Sequence, residues 1–598
     1  MAERKKSIAV GVGLFAMLVY LPALRFELLS WDDAWYVTHN PLIRGLGPAH
    51  LKAMFTEAFS ANFLPLHLLS YAVDYAIWGG DSSFGFHLTS LFINGFSASL
   101  AFLLLIRLRA GLPVALAGAL LFAIHHGHVS SVAWVSSRKG VLALFFVFGC
   151  ALAYLRAQEA PGRTDWRWYS LALLLYGCSV MSKLTMVLLP VFLFAHSWLG
   201  GWRPLGRLLA LQLPFAILAV IMSLLNTTAQ VTSTREYGLG EFLCMKGDAI
   251  CRYAAVLLGF STGQPVYSHP EALSGLMLLP VLAIPLLLIW LWRRQQFTGL
   301  LGSIWMVVML LPALAFPLVT YMADRYLYAT SFGFCWLLAA GLWRAAERLS
   351  PQKPIAVFAA LVALPMLIFA GRFAQYLPVW RDSETLMRVA NARCDDFRVR
   401  EHLASALMVR GAYGEAESVL AADVEAGRYA STRILAHCHY LQQDFVGAEP
   451  LYTRCVEHLR QGSGALVDTL ERTGSRRRGA DVLRNYGHIL LEGENPRPAA
   501  LIALLAPFAE EMADARLSFY LGAAYYRQKQ PELAVTTLGK ALAYGKAERQ
   551  TATWLANCGF SLGASHWSLG QRDRARECWR DALQLDPKNA SIQSWLEK

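Results

Sequence analysis

The chain has 598 residues, 56% of them apolar and 16% charged, whereas soluble domains average about 45–50% apolar and about 25% charged. A single water-soluble globule is excluded. The net charge of +12 invites nucleic acid as a partner, but neither an aromatic-and-basic stripe nor a recognition motif is visible in the sequence, so nucleic acid is excluded as well.

The N-terminal run Met1-Ala2-Glu3-Arg4-Lys5-Lys6 leads into an apolar stretch from Ile8 to Leu24. No small-residue cleavage site follows cleanly, so the stretch reads as an uncleaved first helix. A helix needs about 20 apolar residues to cross a bilayer. With 7–24 counted, segments 84–106, 113–126, 140–155, 168–182, 184–199, 208–225, 273–292, 299–318, 326–343 and 354–376 make about eleven expected spans. Segments 63–78 and 248–260 are apolar too. Asp74 and Arg252 would be costly at mid-membrane, so these two read as amphipathic or partly inserted helices. Lys and Arg gather in alternate short loops, which places the N-terminus on the cytoplasmic side. An odd number of spans then carries the C-terminal half to the outside, in a periplasm-like space. From Trp380 onward charged residues become frequent. The expected organisation is therefore all-α, with a membrane domain over 1–376 and a soluble helical domain over 377–598.

Chemistry concentrates in four runs on the expected outer side. The first is Trp31-Asp32-Asp33-Ala34-Trp35-Tyr36, then His39-Asn40-Pro41, just past the first apolar helix. A carboxylate there can act as a general base. Two adjacent carboxylates can also hold a divalent cation, and Asp33 can equally be a helix N-cap. The second run extends from His125-His126-Gly127-His128 through Val132-Ala133-Trp134-Val135-Ser136-Ser137-Arg138-Lys139. Three histidines suggest zinc, but a closed site needs a compatible fourth ligand that the sequence does not pair with them. Polar contact to substrate from His125 and His128 is the better reading. The third run, Met181-Ser182-Lys183-Leu184, sets a lysine between two apolar stretches. The fourth, Ala323-Asp324-Arg325-Tyr326-Leu327-Tyr328, sets an arginine at the mouth of another, with Asp324 placed to orient or neutralise it. Arg138, Lys139, Lys183, Arg235, Lys246, Arg252 and Arg325 all defy the positive-inside pattern, which points to an anion held at the outer face. Snorkelling to lipid headgroups is the bland alternative.

An early outer acidic pair followed by Asn-Pro, then His-rich Val-Ala-Trp-Val-Ser-Ser-Arg-Lys, Ser-Lys, Ala-Asp-Arg-Tyr-Leu-Tyr and finally helical repeats, in that order along nearly the whole chain, resembles the transmembrane and tetratricopeptide-repeat O-mannosyltransferases and their bacterial relatives. These belong to the GT-C glycosyltransferase superfamily. The resemblance implies a polyprenyl-phosphate-linked sugar donor, inverting transfer to a hydroxyl, and an acidic residue in the first outer loop. Carried over, it marks Asp32 and Asp33 as the acidic site and Arg138, Lys183 and Arg325 as donor-phosphate contacts; the runs themselves add Lys139 to the phosphate contacts and His125, His128 and Asp324 at the substrate. It also implies a protein Ser/Thr acceptor and a multi-pass protein of the bacterial inner membrane. Two departures bear on the donor pocket, and so on the sugar: relatives more often show His-Pro before the second histidine, and Lys183 is followed by Leu184 rather than an acidic residue.

In the C-terminal half, small residues at 404, 436, 487, 522 and 563 are each followed twelve positions later by Ala416, Ala448, Ala499, Ala534 and Ala575. That offset predicts five antiparallel helix pairs in close contact, the last of which fits the tetratricopeptide pattern. Such units stack into a solenoid with a groove that would present the acceptor protein. The run Gly474-Ser475-Arg476-Arg477-Arg478-Gly479 reads as a solvated loop. The ten cysteines include no CxxC pair, and the pairs Cys438/Cys455 and Cys558/Cys578 are spaced to allow a disulfide without requiring one. Two other readings compete: a glycan ligase using a pyrophosphate-linked donor, and a non-enzymatic membrane-tethered scaffold.

Overall fold

The computed structural model describes residues 2–59, 62–80, 82–159, 163–201, 204–227, 238–270, 273–315, 321–461, 475–508 and 513–597. Among these residues the architecture is all-α, the only extended pairing being one bridge between Phe59 and Asn62. The chain divides into two compact units, Met1–Leu403 and Ala404–Lys598.

Every expected span of the first unit contains a helix among its described residues, and residues 316–318 of the span expected at 299–318 lie outside them. Seven helices are long and apolar enough to cross a membrane: Ser83–Arg107, Val135–Ala157, Leu205–Asn226, Gly275–Arg293, Phe297–Ala315, Asp324–Leu349 and Pro354–Trp380. An eighth is the pair Leu112–Ile124 and His126–Val132, bent by 50°. The break falls at His125, whose backbone is extended. The other three are shorter or more charged. Ala2–Val19 opens on Glu3-Arg4-Lys5-Lys6, Trp166–Ser182 has 17 residues, and Leu184–Leu199 is a short apolar helix. Length and composition alone therefore support seven or eight full spans among the described residues.

Small residues set the helix contacts, as is usual where lipid supplies no hydrophobic drive between helices. Helix Ala2–Val19 lies against Ser83–Arg107 with Gly13 facing Gly95, where a Cβ on Gly13 would come within 2.8 Å of the Gly95 carbonyl. Ser99 Oγ donates to the Ala9 carbonyl at 2.8 Å across the same contact. Asp74, on helix Pro65–Trp78, is buried but not alone. Its carboxylate lies 2.6 Å from the Arg138 guanidinium and accepts from Thr89 Oγ1 at 2.7 Å. A buried charge is retained only when so paired. Arg252 meets Asp248 one turn back at 2.6 Å.

Residues 377–403 pack with the first unit. Glu27 N donates to the Arg381 carbonyl, Ser30 N donates to Ser383 Oγ, and Trp380 packs 5.6 Å from Trp134. The compact boundary thus lies after Leu403, where the change in composition suggested 376.

Among the described residues the second unit holds helix Tyr413–Glu425 and then four helix pairs in contact: Tyr429–Leu441 with Phe445–Gln461, Ser475–Glu492 with Pro498–Leu505, Ala515–Arg527 with Pro531–Ala547, and Ala552–Ser568 with Arg572–Leu585. Helix Ala590–Leu596 follows. The small residues lie at the closest approaches. A Cβ on Gly522 would meet Leu538 at 2.7 Å, and one on Gly563 would meet Trp579 at 2.3 Å. The expected loop at 474–479 is corrected in part: residues 475–479 begin a helix, while Gly474 lies outside the described residues. The arginines there are good helix formers and a loop-like composition does not oppose the helix. All ten cysteines are free thiols.

Candidate active site

The acidic pair divides into two different residues. Asp33 is fully buried. Its Oδ2 accepts from Leu29 N at 2.9 Å, and its Oδ1 accepts from Ser136 N at 2.8 Å and from Ser136 Oγ. Although Asp33 precedes the π-helical turn Ala34–Thr38, its side chain makes no capping bond to it. The carboxylate instead fastens the first loop to the mouth of helix Val135–Ala157. Burial pushes Asp33 up to about 6, against the pull of the Ser136 and Leu29 hydrogen bonds and with a small push from Asp32. Asp32 is half-exposed and has no hydrogen-bond or ion-pair partner among the described residues. Asn40 completes the loop: its Oδ1 accepts from Leu42 N and its Nδ2 donates to the Tyr36 carbonyl, so the Asn-Pro step is a local cap.

Three of the four expected cations converge on the same end of the helices. Lys139 Nζ lies 4.8 Å from the centre of the Tyr36 ring, in the acidic loop itself. Lys183 Nζ and Arg325 Cζ share one aromatic ring, 5.0 Å and 5.5 Å from the centre of Tyr326. Arg325 also lies 5.6 Å from the Trp134 ring, and Trp134 stacks on Trp31 at 5.0 Å and 21°. Trp31 directly precedes Asp32. Lys183 reaches Gly140, where a Cβ would stand 3.3 Å from its Nζ. None of Lys139, Lys183 and Arg325 has a carboxylate partner among the described residues. Lys183 is buried, and burial, then Arg325, then Lys139, hold its ammonium well below the usual lysine range. A buried ammonium among like charges is costly until an anion joins it.

Arg138 does not join this group. It is fully buried, paired with Asp74, and donates to Ser90 Oγ at 3.1 Å and to the Phe86 carbonyl, with its guanidinium over the Tyr71 ring. Its donors are engaged within the fold. The histidines are likewise engaged within the fold. His125 Nδ1 accepts from Gly127 N and its Nε2 faces the Leu257 carbonyl, while His128 Nε2 lies 2.6 Å from Ser331 Oγ. Both are buried. They brace the bend in the broken helix. Asp324 does not orient Arg325: its oxygens accept from Tyr267 OH at 2.6 Å, Tyr376 OH at 3.0 Å and Gln264 N at 3.0 Å. Arg235 lies outside the described residues.

Among the described residues no three His, Cys, Asp or Glu side chains are grouped to hold a metal ion. Asp33 has its oxygens committed to three protein donors, so the acidic pair does not present two free carboxylates to a divalent cation. The residues missed by reading for charge are the uncharged ones that assemble the site: Trp31, Trp134, Tyr326, Tyr36 and Ser136. Their signal was adjacency, since each lies within four positions of a charged candidate.

The fold and this site define a polytopic all-α protein with helical repeats and an acid-and-cation cluster at the helix mouths. The tetratricopeptide-repeat family model matches residues 560–589, within the last helix pair, Ala552–Ser568 with Arg572–Leu585, and the turn after it. The chain is similar to Protein O-mannosyl-transferase TMTC4 of Mus musculus, with 23% identity over 474 residues covering 64% of this chain and 61% of the relative. The chain thus spans less than two thirds of that relative's length.

Proposed function

We propose that the protein is a membrane glycosyltransferase that moves a sugar from a polyprenyl-phosphate carrier to a hydroxyl, the acceptor being protein Ser or Thr. The observation that carries this reading is the uncommitted carboxylate of Asp32, next in the chain to Trp31, whose ring stacks on the Trp134 ring that Arg325 approaches, together with Lys139, Lys183 and Arg325, which make no ion pair among the described residues. Asp32 takes the proton of the acceptor hydroxyl as its oxygen attacks the anomeric carbon. The bond from that carbon to the phosphate oxygen breaks, and the electron pair leaves with the phosphate. A single displacement of this kind inverts the anomeric centre. The phosphate changes from a monoanionic diester to a dianionic monoester, so negative charge grows on it during the reaction. Lys139, Lys183 and Arg325 stand where that charge would be stabilised more in the transition state than in the bound donor. Asp33 is a positioning residue that holds the loop against Ser136.

Supporting the acceptor assignment are the helical repeats and the activity in the mouse relative's name. We further propose that the site and the repeats face the side opposite the N-terminus, the periplasmic side of a bacterial inner membrane. The alternation of basic loops supports this orientation.

The test is transfer by the purified full-length chain, with polyprenyl-phosphate-sugar and oligosaccharide-pyrophosphate carriers offered in parallel to a Ser/Thr peptide. Transfer from the monophosphate carrier alone supports the reading. Transfer only from the pyrophosphate carrier makes the protein a glycan ligase, and no transfer from either returns it to a scaffold.

A further inference from the structure

Three helices of the second unit repeat one pattern that the sequence hides. Arg433 and His437 lie four residues apart on Tyr429–Leu441, Arg484 and His488 on Ser475–Glu492, and Arg516 and Tyr520 on Ala515–Arg527. A separation of four puts both side chains on one helix face. These are the first helices of three successive pairs, and the structure sets their faces side by side. Tyr440 OH lies 3.2 Å from His488 Nδ1 with the rings 5.8 Å apart, and the His488 and Tyr520 rings are 6.3 Å apart. Asn485 Nδ2 lies 3.2 Å from His437 Nδ1 and donates to Tyr452 OH at 3.0 Å. An aromatic and imidazole ladder thus runs across the three helices, flanked by arginines. Each arginine is about 32 to 51 positions from the next, which is why no basic-and-aromatic stripe is visible along the chain.

The charge of this stripe is unbalanced. Arg484 is engaged by Asp481 at 3.1 Å and Asp514 at 3.3 Å. Arg433 is half-buried and Arg516 exposed, and neither has a carboxylate partner among the described residues. Free guanidinium forks beside ring edges and an amide suit an extended chain bearing carboxylates: the arginines take the acids, and the Asn, His and Tyr groups take backbone amides and hydroxyls. Helices pack about 8–10 Å apart, so three of them offer about 20 Å, the length of roughly six extended residues.

We propose that the stripe of Arg433, His437, Tyr440, His488, Arg516 and Tyr520 docks an extended acidic peptide segment. Resting on the glycosyltransferase reading, the segment belongs to the acceptor protein. Acceptors would then carry Asp or Glu in a docking stretch additional to the hydroxyl that is modified.

The test uses the full-length chain in detergent and fluorescence anisotropy with two labelled peptides, one rich in Asp, Glu and Ser and one with Asn and Gln in place of the acids. The proposal expects the acidic peptide to bind about tenfold or more tightly, with binding that weakens as salt rises. Arg433→Ala with Arg516→Ala should remove that preference. Arg433→Glu with Arg516→Glu should transfer it to a Lys-rich peptide, an outcome that a merely unfolded variant cannot give. Equal binding of the acidic and neutral peptides overturns the proposal. So does stronger binding of a single-stranded oligonucleotide or of phosphatidylglycerol vesicles that the double alanine variant abolishes while peptide binding is untouched. Absence of sugar transfer with acid-selective binding intact overturns only the glycosyltransferase reading. Retained transfer with no acid selectivity overturns only this inference.

Discussion

Replacing the two carboxylates one at a time should give opposite results. Asp32 is half-exposed and bonded to nothing among the described residues, so Asp32→Asn should leave the melting temperature unchanged within error. If Asp32 is the base, its loss should cost about 10²- to 10⁴-fold in kcat, or about 3–5 kcal/mol of barrier. Asp33 is the reverse case. Asp33→Ala would strand the Leu29 and Ser136 amides and the Ser136 hydroxyl in a buried place. At about 1–3 kcal/mol for each orphaned amide, the loss is roughly 2–6 kcal/mol. Asp33→Asn keeps an acceptor for Ser136 and sheds a buried charge but turns an NH2 toward the Leu29 amide, a loss of about 1–3 kcal/mol, so it should still fold at pH 7.5 and retain far more transfer activity than Asp32→Asn. The assays are transfer to a Ser/Thr peptide and thermal melting of the same preparations. A folded Asp33→Asn protein without activity, beside an Asp32→Asn protein that keeps more than about a tenth of it, would refute the division of roles.

The raised pKa of Asp33 gives a second expectation. Its folded value of about 6 exceeds the ordinary 3.8, so the folded state binds more protons in that interval. The associated stability is present below about pH 4 and is lost as pH rises through about 6, amounting to about 3 kcal/mol. Melting from pH 4 to 7 should fall for wild type relative to Asp33→Asn; parallel curves would contradict this. Lys183, held below its usual range by burial and by Arg325 and Lys139, should take up a proton when an anion enters. Calorimetry of polyprenyl-phosphate binding in two buffers of different ionisation enthalpy should show a buffer-dependent heat that Lys183→Met abolishes, and equal heats would count against the anion site. In the second unit, a Cβ on Gly563 would press on the fully buried Trp579 ring. Gly563→Ala should lower stability by about 1–3 kcal/mol, read as a lower melting temperature for unfolding of the repeats, and an unchanged transition would show that the close contact is absent.

Hydropathy and spacing made much of the architecture legible. The eleven apolar runs are helical over most of their described residues, and the twelve-residue offset located the helix contacts at Gly522 and Gly563. Three runs fall short of a full span because composition alone does not count the charged lead of Ala2–Val19 or the short lengths of Trp166–Ser182 and Leu184–Leu199. At the site, charge at the mouth of a span reads alike for Lys139, Lys183, Arg325 and Arg138, yet the first three make no ion pair among the described residues and Arg138 is paired within the fold. Nothing local distinguishes them. What separates Arg138 is Asp74, 64 positions earlier, brought against it by the packing of helix Pro65–Trp78. The same holds for the acidic pair. Two adjacent Asp residues look alike on paper, and only the approach of Ser136 makes one a buried anchor and leaves the other free. The histidine cluster suggested ligands because histidines are rare in apolar helices, yet their partners are backbone carbonyls and a serine from distant segments. Polar residues that satisfy one another across a fold carry no mark of that role in the sequence.

The central claim is that Asp32 and the cation cluster act on one transition state. A double-mutant cycle of Asp32→Asn and Lys183→Ala, measured as the rate of sugar transfer by the full-length chain, addresses it directly. The account expects each single change to slow transfer sharply and the double variant to be little slower than the worse single one, a coupling of at least about 1 kcal/mol. Strict additivity of the two losses, or transfer that survives both changes, would contradict it.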